Sequence, residues 1–415
     1  MGKSTLLSVI IICSVFIVYL CSLSTRTSYT KYWQEWKRIE NNHNKNDKDG
    51  SPPEHSRSSS TMEEEMAERK RILREFCENV TIGLYNFNFS QVKEKYYKDG
   101  KAGMSYCKVP KAGSSLWTQI FMTFRAYMYH KQVENKTKTI QKIFHKSRSR
   151  LHVSSPFLSS NAPSKNDTYL NIVMARDPYS RLFSAYVDKI FLLNKLRYPR
   201  QISENNGKSP VSCGYNVTFQ EFVDYVISTA ENGSKINRHW SPIYLLCRPC
   251  DVRYDVVAKI ESFTKDMKYI LNHSDVSDYV KDVLLDILQD KTNIDGLLDT
   301  YMRQWKTHKE KCPSIKDYLI KLWKALQFQG EISFDLSFPT AEFPSLQKTT
   351  PNIMNVTKDL QQCVTKNRLT REKRRIQRRE VLVNAYSTIR NSTITQIQGL
   401  FKLDFLLFRY DLSSP

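Results

Sequence analysis

Long apolar runs are scarce in this chain of 415 residues, and acidic side chains are outnumbered, with 42 Asp and Glu against 63 Lys and Arg. The first scarcity leaves a single segment long enough to cross a membrane. The second gives a formal net charge of +21, which favours polyanionic partners. Internal repeats are absent, and no second linker divides the chain. With 40% hydrophobic residues it is no disordered tail, and its length suffices for a domain with a sizeable core.

The exception among the apolar runs is Leu6 to Leu23 (LLSVIIICSVFIVYLCSL), uncharged throughout and close to the roughly 17 to 25 residues that span a bilayer. A cleaved secretory signal is the alternative, but its apolar centre is usually about 7 to 15 residues long. Lys3 precedes the run and Arg26 and Lys31 follow, so flanking charge does not orient it. Asn-X-Ser/Thr sequons do. They begin at Asn79, Asn88, Asn135, Asn166, Asn216, Asn232, Asn272, Asn355 and Asn391, all beyond the run, and such sites are used in the secretory lumen. Residues 24–75, with NNHNKNDKDG, SPPEHSRSSS and EEEMAERKRILRE, are too polar to bury a core. The expected organisation is a cytoplasmic tail over 1–5, a signal anchor over 6–23, a stem over 24–75 with a candidate helix at its end, and a lumenal domain over 76–415.

Cys13 and Cys21 fall inside the apolar run. Cys77, Cys107, Cys213, Cys247, Cys250, Cys312 and Cys363 are then left in an oxidising space, an odd number, so one stays free or pairs between chains. Cys247 and Cys250 form a CRPC motif that has neither a second ligand pair for zinc nor a βαβ setting for redox work. Structural disulfides are the expected use.

Also missing is the GK[ST] ending of a nucleotide-binding P-loop at CKVPKAGSSLW, Cys107 to Trp117. Met104 to Val109 reads as a strand, and Leu116, Ile120, Phe124 and Met128 recur on one helix face. The loop between them opens a helix, where backbone amides and the helix dipole favour an anion. Gly113 permits close approach, Lys111 adds a point charge, and Ser114 and Ser115 add hydroxyls. The bland alternative is a Gly-Ser turn with a solvated lysine. A second junction of the same kind follows: Tyr169 to Ala175 (YLNIVMA) reads as a buried strand, then Arg176, Asp177 as N-cap and Pro178 at the first helical position. Arg176 at the strand's carboxyl end suits a second phosphate, with Ser184 two turns into the helix. The alternative there is a local ion pair for Arg176 and a packing role for Ser184.

PKAGSSLW followed by RDPYSRLFSAYVDK resembles the 5′-phosphosulfate loop and the 3′-phosphate motif of Golgi carbohydrate sulfotransferases, in the group of chondroitin and dermatan 4-O-sulfotransferases and the glucuronyl 3-O-sulfotransferase of the natural killer epitope. HWSPIYLLCRPCDVRYDVVAKIES, His239 to Ser262, is similar to that group's HW-x-P, C-x-x-C, Tyr-Asp and Lys-x-Glu pattern, and FKLDFLLFRY resembles its closing DF-x-x-F-x-Y segment. The match runs over most of residues 100–410. The resemblance implies an α/β, P-loop-like sulfotransferase fold with a central, mostly parallel sheet, both site-bearing strands being central. It implies 3′-phosphoadenosine 5′-phosphosulfate (PAPS) as donor and no metal. Pro110, Lys111, Ala112, Gly113, Ser114, Ser115 and Leu116 would wrap the 5′-phosphosulfate, with Lys111 near the bridging oxygen. Arg176, Arg181 and Ser184 would serve the 3′-phosphate end, within a stretch that includes Asp177 and Pro178; Arg181 reads equally as a surface helix residue. Leu116 and the pair Tyr179-Ser180 depart from the residues common in relatives, and the segment from about Asp290 to Pro351 looks longer, which bears on acceptor choice.

Transfer of a sulfuryl group to a sugar hydroxyl needs a base. The resemblance extends to His152 in RLHVSS; His239, His130 and His145 are the other candidates, His239 beside Trp240 reading as a packed residue that shapes the acceptor cleft. The implied acceptor is an anionic or GalNAc-containing glycan, at O4 of GalNAc in chondroitin or dermatan chains, with glucuronyl 3-O-sulfation as the alternative. The implied place is the Golgi membrane, single-pass type II. The run KNRLTREKRRIQRRE would suit nucleic acid in another compartment, but a lumenal protein meets none; it is a solvated helix face or a docking surface for an acidic glycan. A non-catalytic glycan-binding protein of the same fold would be expected to lose Lys111, Arg176 or Ser184, and all are present. An ATP- or GTP-using enzyme would need GK[ST] at this loop.

Overall fold

A computed structural model describes residues 61–79, 95–129, 143, 157–164, 167–290, 294–348 and 351–415. The expected tail and anchor over 1–23 lie outside the described residues, as do His130, His145 and His152. Among the described residues no helix is long and apolar enough to cross a membrane.

The chain order begins with α1 (Met62–Asn79), the hairpin β1 (Tyr96–Asp99) and β2 (Met104–Cys107), then α2 (Ser114–Tyr129), β3 (Leu158–Ser159), β4 (Leu170–Ala175) and α3 (Pro178–Ala185). A π-helical turn, Tyr186–Phe191, leads to α4 (Arg197–Asn205), α5 (Phe219–Glu231), the short α6 (Ile243–Cys247) and β5 (Val256–Lys259). Then come α7 (Phe263–Asn272), α8 (Asp278–Asp290), α9 (Ile294–His308), α10 (Ile315–Phe328), α11 (Ile353–Lys366), α12 (Arg371–Ser387), α13 (Asn391–Leu400) and α14 (Lys402–Leu407).

The sheet order is β3-β1-β2-β4-β5. β2 and β4 are adjacent, interior and parallel, and β4 pairs in parallel with β5, so the two site-bearing strands end side by side as expected. The sheet is mixed rather than mostly parallel, because β1 pairs antiparallel with both β2 and β3. The reason is local. Only residues 100–103 separate β1 from β2, too few for a crossover, and Asp99 Oδ1 accepts from the amides of Lys101 and Ala102 to close the turn.

β4 shows why the central strands read as unbroken apolar runs. Ile172 and Met174 join Met104, Tyr106, Val256 and Ala258 under α2 and α7. The alternate residues, Val173 and Ala175, face Ile243, Leu246 and Cys247 of α6 with Leu407 and Phe408. Both faces are covered, so the period-two pattern has no polar phase. The third cluster is built from α3, the π-helical turn, α5 and α9 to α13.

The expected stem boundary at residue 75 falls inside α1. Met66 and Leu73 are buried, Arg69 Nη1 pairs with Asp266 Oδ2 at 2.7 Å and donates to Val257 O at 3.2 Å, and Cys77 is bonded to Cys250. Met66, Arg69 and Leu73 share one helical face, a stripe easily lost among the surrounding charges. Cys107 bonds Cys247 and Cys213 bonds Cys312, which leaves Cys363 free and buried. The CRPC cysteines thus pair with two different partners and not with each other.

The basic run 366–379 is only partly a solvated face. Glu331, 3% exposed, is paired with Arg368, Arg374 and Arg378 at 3.2, 3.2 and 3.0 Å, while Arg371, Lys373, Arg375 and Arg379 are exposed.

Candidate functional site

β2 stops at Cys107 and the chain turns through residues 108–113 into α2. Two residues of this turn have left-handed backbones, Lys111 (φ 69) and Gly113 (φ 74). At Gly113 a Cβ would also come within 3.1 Å of Ile260 Cδ1, so glycine is favoured on both counts. Val109 and Ala112 are buried in the cluster beneath the sheet end, and Leu116 packs, partly buried, against the cluster that contains Trp117. Ala112 and Leu116 therefore anchor the loop, which accounts for an apolar residue at 116. The first helical bond runs from Trp117 N to Gly113 O at 3.0 Å, placing Ser114, Ser115 and Leu116 in the first turn, where amides point out of the helix end.

Lys111 Nζ lies 2.6 Å from Asp188 Oδ2, with side chains 9% and 5% exposed. Asp188 also accepts from Asn194 Nδ2 at 2.6 Å and pairs with Lys189 at 3.2 Å. Sequence reasoning missed Asp188. Its signal was an isolated acid in the apolar helix after RDP, and the π-helical turn that presents it is a form concentrated at functional sites.

Three arginines hold the loop's carbonyls. Arg176 Nη1 donates to Lys111 O at 2.8 Å, Arg181 Nε to Pro110 O at 3.1 Å, and Arg238 Nη2 to Lys108 O at 3.0 Å. Arg181 is 1% exposed, so it is no surface residue. Burial pushes Arg181 down to about 10, against the attraction of Asp404, and pushes Arg176 and Arg238 down as well. Asp404, of the closing DF pair, is pushed up to about 6 by burial, with Arg181 opposing, while its carboxylate caps α6 through the amides of Ile243 and Tyr244. Arg181 Nη1 and Arg238 Nε are buried without a hydrogen-bond partner among the described residues. Orphaned guanidinium donors behind an anion-type loop fit a phosphorylated ligand. Arg238 was missed; its signal was its place beside the HW pair.

At the end of β4, Asp177 caps α3 as expected, accepting from Ser180 N at 2.8 Å, with Pro178 in the first turn. Asp177 N donates to Glu261 Oε1 at 3.0 Å and Tyr410 OH to Glu261 Oε2 at 2.8 Å, which brings the Lys-x-Glu and Phe-x-Tyr blocks to this turn. Ser184, half-buried, stands three residues after Arg181 on the same face of α3. Tyr179, the departure in this motif, donates to Leu412 O at 2.6 Å and is a packing residue.

His239 is drawn into the site. Asn237 Nδ2 donates to Tyr198 OH at 2.7 Å, which orients Asn237 so that its Oδ1 accepts from His239 N at 3.0 Å and Nδ1 at 2.7 Å. Nε2 then carries the lone pair. Burial, then Lys189, hold this imidazole well below its usual range, with Asp188 opposing, so it is neutral at pH 7. Among the described residues no group of His, Cys, Asp and Glu is placed to hold a metal.

Residues 94–325, more than half of the chain, match the model of the sulfotransferase family. The chain belongs to that family. It is similar to carbohydrate sulfotransferase 9 of Homo sapiens (27% identical over 50% of this chain and 47% of the relative). It is also similar to carbohydrate sulfotransferase 12 of Mus musculus (25%, over 50% and 56%) and carbohydrate sulfotransferase 11 of Rattus norvegicus (27%, over 42% and 51%). The match thus spans about half the length of these relatives. No solved structure matches this sulfotransferase-family chain.

Proposed function

We propose that this chain transfers a sulfuryl group from PAPS to a glycan hydroxyl, at O4 of GalNAc in chondroitin or dermatan chains, as a single-pass type II protein of the Golgi membrane with its catalytic domain in the lumen. The observation that carries the reading is the Lys111 loop: a left-handed lysine whose carbonyl is held by Arg176 and whose ammonium is held by Asp188. PAPS supplies the activated sulfur–oxygen bond. The acceptor oxygen forms a new bond to sulfur as the bond from sulfur to the bridging phosphate oxygen breaks, and the hydroxyl proton passes to a base. Lys111 stabilises the charge that develops on the leaving oxygen, and the amides of the α2 first turn bind the 5′-phosphate end. Arg176, Arg181 and Ser184 serve the 3′-phosphate, with Arg238 supporting the loop. The buried arginines bind by charge and geometry rather than by proton transfer.

The resemblance at RLHVSS supports His152 as the base. A second reading is favoured by position: His239 is neutral and feels the charges of Lys189, Asp188 and Lys111. Incubating the lumenal fragment with ³⁵S-labelled donor and a glycan panel tests the activity, and disaccharide analysis tests the acceptor. Label in no glycan refutes the transferase reading; sulfate solely at O3 of glucuronic acid selects the other specificity.

A further inference from the structure

The π-helical turn that carries Asp188 ends at Phe191, and α10 lies against it. Two residues a turn apart on α10 mark the approach. The buried Tyr318 phenol donates to Tyr301 O at 2.8 Å and is pushed up by burial, with Tyr301 and Asp188 adding to it. Lys321 Nζ stands 4.9 Å from the centre of the Phe191 ring. Phe191 meets Phe328 edge-on at 5.5 Å, and Lys324 Nζ stands 5.4 Å from the Phe328 ring and 4.6 Å from that of Phe334. The rings of Phe191, Phe328 and Phe334 thus form a row that carries the ammonium groups of Lys321 and Lys324 and begins three residues after Asp188 on the π-helical turn.

Several inward-turned cations have acids, Arg69 with Asp266, Lys111 with Asp188, and Arg368, Arg374 and Arg378 with Glu331, while Arg176, Arg181 and Arg238 are held by the carbonyls of the Lys111 loop. Lys321, half-buried, has no carboxylate partner among the described residues, and burial pushes its ammonium down to about 8. The ring face of Phe191 offsets part of the cost of holding a cation there, but not the loss of water. An anion brought by a ligand would supply the rest.

We propose that Lys321, seated on Phe191, is an acceptor subsite for a sugar carboxylate, so that the glycan sulfated here carries a uronic acid close to the residue that receives the sulfate. This rests on the sulfotransferase reading above and names the acceptor feature that reading needs. The test compares binding of an unsulfated chondroitin hexasaccharide and its carboxyl-reduced counterpart, by calorimetry in the presence of 3′,5′-adenosine bisphosphate. Wild-type protein is expected to favour the carboxylate form by about 10-fold or more. Lys321→Gln should bring the two within about 2-fold, while Lys316→Gln, at an exposed lysine of the same helix, keeps the preference. Bisphosphate affinity should be equal in all three proteins, which separates a lost contact from a damaged fold. A preference retained in Lys321→Gln, no preference in the wild type, or binding of neither hexasaccharide overturns the subsite. Failure of the sulfotransferase reading shows separately, as wild-type protein that does not bind the bisphosphate, and takes the subsite with it.

Discussion

Lys111 carries three constraints at once: a left-handed backbone, a carbonyl held by Arg176 and an ammonium held by Asp188. Such a backbone costs a non-glycine residue roughly 1 to 2 kcal/mol, and the two partners over-determine it. Lys111→Ala is expected to lower turnover by about 10² to 10³ in the ³⁵S assay, with wild-type turnover excluding a role at the leaving oxygen. Arg176→Ala should weaken bisphosphate binding by about 1.5 to 3 kcal/mol, read by calorimetry. For the base, His152→Ala is expected to lower turnover by about 10² to 10⁴ with donor binding unchanged; the same loss in His239→Gln, with His152→Ala near normal, would move the role to His239. His239 also has a stability signature. Its folded pKa lies below the unfolded value, so its contribution is fully present above about pH 6.5 and is lost as pH falls and the unfolded chain takes up the proton. The melting temperature of His239→Gln should therefore fall less steeply than wild type between about pH 6.5 and 5.

At the scale of elements, the loop is stapled from behind. The Cys107–Cys247 disulfide ties the end of β2 to α6 across 140 residues of sequence, and α6 is itself capped by Asp404. Replacing both cysteines by serine should cost about 2 to 5 kcal/mol, measured by urea unfolding under oxidising conditions, with turnover falling as the PKAGSS turn loosens; unchanged stability would show that packing alone holds the junction. α12 is a second case. Three of its neighbourhood's arginines converge on Glu331, so Glu331→Gln leaves them without their acid, and about 2 to 4 kcal/mol of stability should be lost, less than for a fully buried group because Arg378 is half exposed.

For the whole molecule, the charge of +21 implies that binding of a polyanionic acceptor weakens as salt rises. The sequons at Asn216, Asn232, Asn272, Asn355 and Asn391 are all exposed, as glycan carriers must be. Treatment of the expressed protein with an N-glycosidase should lower its apparent mass, and the full-length chain should stay with the membrane through alkaline carbonate extraction. Recovery of a soluble species starting near residue 25 would show instead that Leu6 to Leu23 is cleaved.

The sequence by itself determined what depends on neighbours along the chain: the strand-turn-helix at 104–124, the buried strand before Arg176, the Asp177-Pro178 helix start, and a structural use for the CRPC cysteines. Each rests on local periodicity or on the steric demands of single residues, which survive translation into three dimensions. Tertiary structure alone decided what depends on residues far apart. It turned Arg181 inward beneath Pro110, gave Lys111 its acid in Asp188 and brought His239 and Arg238 to the loop. It also docked α1 through Arg69 and Asp266, made the sheet mixed, and spent three arginines of the basic run on Glu331. The physical reason is common to these cases. A charge in a sequence carries no sign of which way it faces, and the cost of burying it is settled only by partners that the fold brings from elsewhere in the chain.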